Sequence, residues 1–125
     1  MTENEISYQI RGAIFDVYNT LGPGLLESVY EEALVYELIS RNIKVERQKW
    51  LPIVYKDVVL NNKFRIDLLV SDKVIVEIKS VSDLLDVHFM QLDTCLKLSG
   101  LKLGILVNFN TSNLSANIKR RANGL

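Results

Sequence analysis

The sequence has a single cysteine, no long apolar run and no excess of charge of either sign. Cys95 alone cannot form an internal disulfide or a zinc site built from several cysteines. Fifteen basic and fifteen acidic side chains give a formal net charge of zero, so any phosphate-binding surface has to be local. No apolar run approaches the ~20 residues of a membrane span, and the acidic, polar start of the chain is unlike a secretory signal. We therefore expect a cytoplasmic protein that does not enter a membrane.

The length of 125 residues, 48% of them hydrophobic, suits one compact domain, which we expect to span residues 1–125. Apolar residues spaced three and four apart predict two helices, one ending near Leu21 and one from about Leu25 to Arg41. The segment Gly22-Pro23-Gly24 separates them, because glycine tolerates a left-handed cap and proline cannot continue a helix.

The pattern then changes to the period of strands. It predicts strand-like segments between Val45 and Tyr55, from Phe64 to Val70 and from Val74 to Ser80. Residues that tolerate turns separate them and indicate an antiparallel meander, the predicted turns being Lys56-Asp57, Asn61-Asn62 and Ser71-Asp72-Lys73.

The last third of the chain predicts a helix, a strand and a final short helix. Asp86 can cap a helix that runs to about Ser99, and the apolar run from Leu103 to Phe109 is typical of a strand buried on both faces. Ser112 or Asn113 is then expected to cap the last helix, which carries Lys119, Arg120 and Arg121. The order α-α-β-β-β-α-β-α predicts an α/β fold with a mixed sheet.

Three charged residues interrupt apolar strands. Residues two apart in a strand share a face, so Glu77 and Lys79 point together. Asp67 lies in the preceding strand and meets Glu77 if the hairpin between them is tight. Two adjacent carboxylates repel each other unless a cation is present, and Mg²⁺ prefers such ligands. The alternative is a structural cluster in which lysine and arginine side chains neutralise the acids.

A further acidic residue begins the second predicted helix. Glu27 follows Gly24 by three residues, and Glu31 lies one turn later on the same helix face. The simplest interpretation of Glu27 is a favourable charge at a helix N-terminus.

These segments, in this order, resemble a known family. Gly24-x-x-Glu27-x-x-Tyr30 resembles the signature of the GxxExxY family, which is placed in the PD-(D/E)xK nuclease superfamily. Arg65-Ile66-Asp67 resembles the acidic strand motif of that superfamily, and Val76-Glu77-Ile78-Lys79 resembles its catalytic strand. Val87 to Leu92 resembles the helix that follows. The resemblance extends from about Ile10 to Arg121 and implies a restriction-endonuclease-like core, a mixed β-sheet flanked by helices.

The resemblance also implies roles for individual residues. Asp67, Glu77 and Glu27 would be ligands of Mg²⁺ or Mn²⁺, and Lys79 would be the catalytic lysine. Gln91 would lie on the helix that flanks the active centre.

The resemblance leaves the roles of several side chains on that helix open. The spacing of His88, Gln91 and Cys95 places all three on one helix face. His88 is either a phosphate or proton contact or a partly buried polar residue. Cys95 stands where the resemblance predicts a tyrosine, and we expect it to be a packing residue.

The implied function is that of a nuclease that hydrolyses phosphodiester bonds with a carboxylate-held metal ion and a lysine, acting on DNA more than on RNA. Two alternatives stay open: a catalytically inactive module that binds nucleic acid or a protein partner, and a plain structural domain. A homodimer or partner would enlarge the small binding surface.

Aromatic and basic residues outside these motifs have a simpler interpretation. Trp50 and Tyr55 can stack on bases, but we expect them to pack in the core. The basic residues around the first strand and in the last helix are expected to be solvated.

Overall fold

The computed structural model of the chain describes residues 1–125. Three α-helices and five strands follow one another, with a short 3-10 turn at Ser115–Asn117. Their bounds are α1 Glu3–Leu21, α2 Glu27–Ser40, β1 Val45–Tyr55, β2 Val58–Val70, β3 Val74–Lys79, α3 Asp86–Ser99, β4 Leu103–Asn108 and β5 Ile118–Ala122. None of the helices is long and apolar enough to cross a lipid bilayer.

The strands form one mixed sheet in the order β1-β2-β3-β4-β5. All neighbouring strands are antiparallel except β3 and β4, which run parallel. Helix α3 connects this parallel pair, because parallel neighbours need a long crossover. The predicted meander and the predicted crossover are both confirmed, and so is the α/β fold with a mixed sheet.

Apolar residues fill both sides of the sheet. Alternate residues Val74, Val76 and Ile78 of β3 pack in the larger cluster together with α1 and α2. Ile75 points the other way, into a smaller cluster that includes Leu92 of α3. Because β3 alternates in this way, Glu77 and Lys79 point together, as predicted, and they lie on the α3 side of the sheet.

Close contact between α3 and the sheet depends on a glycine. A Cβ atom at Gly104 of β4 would lie 2.6 Å from a Leu92 methyl carbon of α3, so any larger residue at this position would have to displace Leu92. This contact fixes how near the helix that carries His88 and Gln91 can approach the strands.

Three local predictions are wrong. Residues 118–122 form the edge strand β5 instead of a helix, because they pair with β4 from Leu103 to Val107. Asn61-Asn62 lies inside β2 at an irregularity where the register with β1 shifts between Pro52 and Val54, so the asparagines form a bulge instead of ending the strand. Asp86 is the first residue of α3 instead of its cap, and His88 Nδ1 accepts the Leu85 N–H at 3.0 Å instead.

The turn at Lys56-Asp57 is confirmed, with Lys56 at a φ of 55°. The prediction that Trp50 and Tyr55 pack in the core is wrong, since 57% of Trp50 and 60% of Tyr55 is exposed. Both side chains belong to the part of the β1–β2 hairpin that extends beyond the rest of the sheet.

Candidate active site

The candidate site lies where β2 and β3 separate. Backbone pairing of these strands ends at Leu68 and Val76. At the next position the Asp67 N–H donates to Glu77 Oε1 at 3.3 Å, and the Ile78 N–H donates to Asp67 Oδ2 at 2.8 Å. Side-chain carboxylates thus replace backbone carbonyls as acceptors. The two acids lie side by side, as we expected from the tight hairpin between their strands.

The regular alternation of side chains along β2 is interrupted at Asp67. Ile66 packs in the cluster on the α3 side, whereas Leu68 packs in the cluster on the α1 and α2 side. Residues two apart share a face in a regular strand, so the strand has to twist between them. As a result Asp67 borders one cavity on each side of the sheet.

The cavity on the α3 side has a volume of about 580 Å³. Asp67, Glu77 and Lys79 line one wall of it. Helix α3 forms the other wall with the predicted face of His88, Gln91 and Cys95, so those three side chains do point together, toward the two acids.

Lys79 makes no salt bridge with any carboxylate. Arg65, which also borders the cavity, places its guanidinium 5.2 Å from the centre of the Trp50 ring and likewise pairs with no acid. The salt-bridged cluster that a purely structural role requires is therefore not formed around Asp67 and Glu77.

The buried surroundings of the carboxyl pair perturb Glu77 and the neighbouring Cys95. Burial, reinforced by the neighbouring Asp67 charge, raises the pKa of Glu77 to about 8. Burial, with the charges of Glu77 and Asp67, also raises the pKa of the Cys95 thiol to about 11. The carboxyl pair thus has a deficit of positive charge, and a cation between them would relieve it.

Glu27 faces a second cavity, of about 360 Å³, which shares Asp67 and Arg65 with the first. The Ser80 N–H donates to Glu27 Oε1 at 3.2 Å, and Ser80 Oγ donates to the Leu25 carbonyl at 2.6 Å. Glu27 is therefore tied to the residue that follows Lys79, although it forms no cluster with the two other acids.

Tyr30 explains the spacing of the motif that contains Glu27. Its hydroxyl donates to the Gly22 carbonyl at 2.6 Å and accepts the Leu25 N–H at 3.1 Å, while its ring stacks on Phe109 at 4.4 Å. Gly24, between those two contacts, has a φ of 95°, which favours glycine. The tyrosine thus anchors the loop that leads into Glu27.

Sequence reasoning missed the role of two residues. Glu31 is only 8% exposed and accepts hydrogen bonds from Arg47, at 3.1 Å, and from Gln48. The Gln48 amide also donates to Asp67 Oδ1 at 3.4 Å. The four-residue spacing from Glu27 indicated that Glu31 lies on the same helix face. No local pattern singles out Gln48, which has a φ of 48° inside β1.

No three histidine, cysteine, aspartate or glutamate side chains are grouped closely enough to hold a metal ion by themselves. The donor set of Asp67 and Glu77 nevertheless fits Mg²⁺, which usually takes one or two carboxylates and completes its shell with water and phosphate oxygens.

Comparisons with known proteins identify the superfamily of the chain. The family model described as the PD-(D/E)XK nuclease superfamily matches residues 4–121. Among solved structures, the crystal structure of SSO0001 is similar, with a TM-score of 0.51 and 27% identity over 76% of this chain and 48% of that one. This chain therefore corresponds to about half the length of that protein. A search of curated proteins finds no significant match.

Proposed function

Because this chain belongs to the PD-(D/E)XK nuclease superfamily, we propose that it is a Mg²⁺- or Mn²⁺-dependent nuclease of the GxxExxY type that hydrolyses phosphodiester bonds, preferentially in DNA. We further propose that residues 1–125 form one domain and act in the cytoplasm. The observation that carries the proposal is the meeting of the Asp67 and Glu77 carboxylates where β2 and β3 separate, with the unpaired Lys79 on the same side of the sheet.

In this proposal Asp67 and Glu77 hold the metal ion, and Glu27 contributes from the adjoining cavity. A bound divalent cation supplies a polarised phosphoryl oxygen and a more acidic water. The side chains of the protein orient the metal ligands and the substrate. The orientation of Asp67 is fixed by hydrogen bonds from the Ile78 N–H and the Gln48 amide.

Lys79 is the positive group of the site. It lies two residues from Glu77 on one strand, so their side chains share a face. Since its ammonium group forms no salt bridge with a carboxylate, Nζ is available to orient an attacking water or to offset the charge that develops on phosphate oxygens.

Helix α3 provides polar groups on the opposite wall. Nδ1 of His88 already accepts the Leu85 N–H, so the proton of the neutral ring lies on Nε2, which is the nitrogen available to donate to a phosphate oxygen. Gln91 follows on the same face, and its exposed amide can contact the same backbone. Both are positioning residues in this scheme.

A cleavage assay tests the proposal. Purified wild type, Lys79→Ala and Asp67→Ala are compared on single- and double-stranded DNA and RNA with Mg²⁺ or Mn²⁺. We expect wild type to cleave DNA and each variant to lose about 100-fold or more in rate. Lys97→Ala is the matched control, since Lys97 is an exposed lysine of α3 outside the cavity wall. No cleavage by wild type, or equal cleavage by all forms, contradicts the proposal.

The second candidate function is a nuclease-fold module that binds nucleic acid or a protein partner without cleaving it. Cys95 favours this candidate, because it lines the cavity at the position where the sequence resemblance predicts a tyrosine hydroxyl. Cys95→Tyr separates the two: cleavage that appears only in this variant supports the inactive module. The predicted homodimer or partner stays a prediction, which light scattering on the purified protein can check.

A further inference from the structure

The β1–β2 hairpin extends past the candidate site as an arm. The two strands pair from Val45 with Val70 to Tyr55 with Val58, whereas β3 covers β2 only from Leu68 to Val70. We call residues 49–66, which lie beyond the Gln48 and Asp67 positions, the arm. Its outer strand edge along β2 is not paired with any other strand.

The arm concentrates positive charge in a chain with no net charge. It contains four basic side chains and one acidic side chain, Asp57, and Arg47 adds a fifth basic side chain just before it. The two basic residues nearest the base are paired, Arg47 with Glu31 and Lys49 with Glu46. The remaining three, Lys56, Lys63 and Arg65, make no salt bridge, so their charges are available to an anionic partner.

Aromatic rings accompany these free cations. Trp50 is 57% exposed and lies directly opposite Arg65, whose guanidinium is 5.2 Å from the centre of its ring. Tyr55 is 60% exposed, with the Lys56 ammonium 5.5 Å from its ring. Large aromatic surface left in water next to unpaired cations matches the chemistry of a nucleic-acid strand, which offers phosphate charges and flat bases together.

One face of the arm leads into the candidate site. Trp50 pairs with Arg65 and Pro52 pairs with Lys63, and directly opposite residues in antiparallel strands share a face. Arg65 also borders both cavities next to Asp67. A strand that lies along this face therefore reaches Asp67 beside Arg65 without crossing an acidic surface of the arm.

We propose that the arm binds single-stranded DNA, with a base stacking on Trp50 and phosphates contacting Lys63 and Arg65. The inference rests on the proposed nuclease function for its substrate class. Unpaired bases are required because the faces of paired bases are hidden in the duplex stack. Three free cations are few for duplex binding, which depends on many phosphate contacts, whereas stacking supplies affinity to a single strand.

Trp50 is the only tryptophan of the chain and therefore serves as a built-in probe. The experiment titrates the protein in EDTA, where cleavage cannot occur, with a fluorescein-labelled oligo-dT for anisotropy and with unlabelled oligo-dT for tryptophan emission. We expect both signals to saturate together, with quenching of Trp50 emission on binding. Saturated anisotropy with unchanged tryptophan emission would place the DNA elsewhere and overturn the proposal.

Variants then locate the binding surface. Trp50→Ala is expected to weaken binding of oligo-dT about 5- to 100-fold, and Trp50→Phe, which keeps an aromatic ring, to restore most of it. Tyr36→Ala is the matched control, because Tyr36 of α2 is 72% exposed and lies outside the arm. Equal affinities of wild type and Trp50→Ala contradict the proposal.

Salt dependence tests the phosphate contacts. The two phosphate contacts, from Lys63 and Arg65, predict a slope of about −1.4 in a plot of log affinity against log salt, and Lys63→Gln is expected to reduce that slope by about 0.7. Tighter binding of duplex DNA or of an oligo-rU of equal length overturns the assignment of single-stranded DNA. Self-association that Trp50→Ala abolishes, without an effect on DNA affinity, would instead identify the arm as a dimer contact and overturn the proposal.

The proposal for the arm and the proposal of nuclease activity can be refuted independently of each other. Cleavage by wild type that is insensitive to Trp50→Ala overturns the arm as a substrate contact and leaves the nuclease proposal intact. Trp50-dependent binding of oligo-dT by a wild-type protein that cleaves no substrate supports the arm and overturns the nuclease.

Discussion

The carboxyl pair predicts an unusual pH dependence of stability. The pKa of Glu77 is raised from its ordinary value of 4.5 to about 8, mainly by burial and then by the Asp67 charge. Between these two values the folded protein binds a proton that the unfolded chain has released. In the metal-free protein the free energy of unfolding should therefore fall as the pH rises from 5 to 9.

The size of the effect follows from the pKa displacement. Each pKa unit corresponds to about 1.4 kcal/mol, so a displacement of three to four units sets a ceiling of roughly 5 kcal/mol. Glu77 keeps some solvent exposure, and solvent relaxation reduces this ceiling to about 2 kcal/mol. For a domain of this length that loss lowers the Tm by about 6 °C.

Glu77→Gln removes the titrating group and keeps an oxygen that can accept the Asp67 N–H. In EDTA, thermal melts from pH 5 to pH 9 should show a flatter profile for this variant than for wild type. The two should be similar at pH 5 and the variant more stable at pH 9. All other titrating groups are shared, so the difference between the profiles isolates Glu77.

Glu32→Gln, at an exposed position of α2, is the matched control and should follow wild type. Adding Mg²⁺ at pH 9 should raise the Tm of wild type more than that of Glu77→Gln, because an ion that binds only the folded protein stabilises it by mass action. Parallel profiles for wild type and Glu77→Gln would refute the reasoning about the carboxyl pair. Equal Mg²⁺ shifts would show that Glu77 is not a metal ligand.

Three further predictions concern the surroundings of the site. Tyr30→Phe loses both loop hydrogen bonds and should cost about 1–2 kcal/mol in urea unfolding; unchanged stability would contradict the anchoring role. Gly104→Ala pushes Leu92 outward and should cost about 1–3 kcal/mol, more than Gly12→Ala, whose added methyl meets only a flexible arginine end. Cys95 should react with a thiol reagent at pH 8 about 100-fold more slowly than free cysteine, because its pKa is raised to about 11; a rate like that of free cysteine would show that the thiol is not shielded.

Local patterns were sufficient for most elements of the fold. The alternation of β3 correctly placed Glu77 and Lys79 on one face, and the tight turn before it correctly brought Asp67 next to Glu77. These predictions worked because the period of a strand and the geometry of a short hairpin depend on residues close in sequence.

Pairing partners that are distant in sequence decided what local patterns could not. Residues 118–122 form an edge strand because they pair with β4, and Asn61-Asn62 forms a bulge inside β2 because β1 pairs with β2 on both sides of it. Trp50 and Tyr55 are exposed because β3 pairs with β2 only as far as Leu68. The residues next to Trp50 and Tyr55 in the sequence carry no information about where that pairing ends.

The sequence by itself determined which charged groups can act and on which side of their strand they lie, because side-chain periodicity is a property of a single strand. Only the tertiary structure decided that Gln48 and Glu31 support Asp67 and that Lys79 has no acidic partner. It also decided that a basic, aromatic arm leads to the carboxylates. Those outcomes depend on how separate elements pack, and packing distances are set by contacts between residues far apart in the chain.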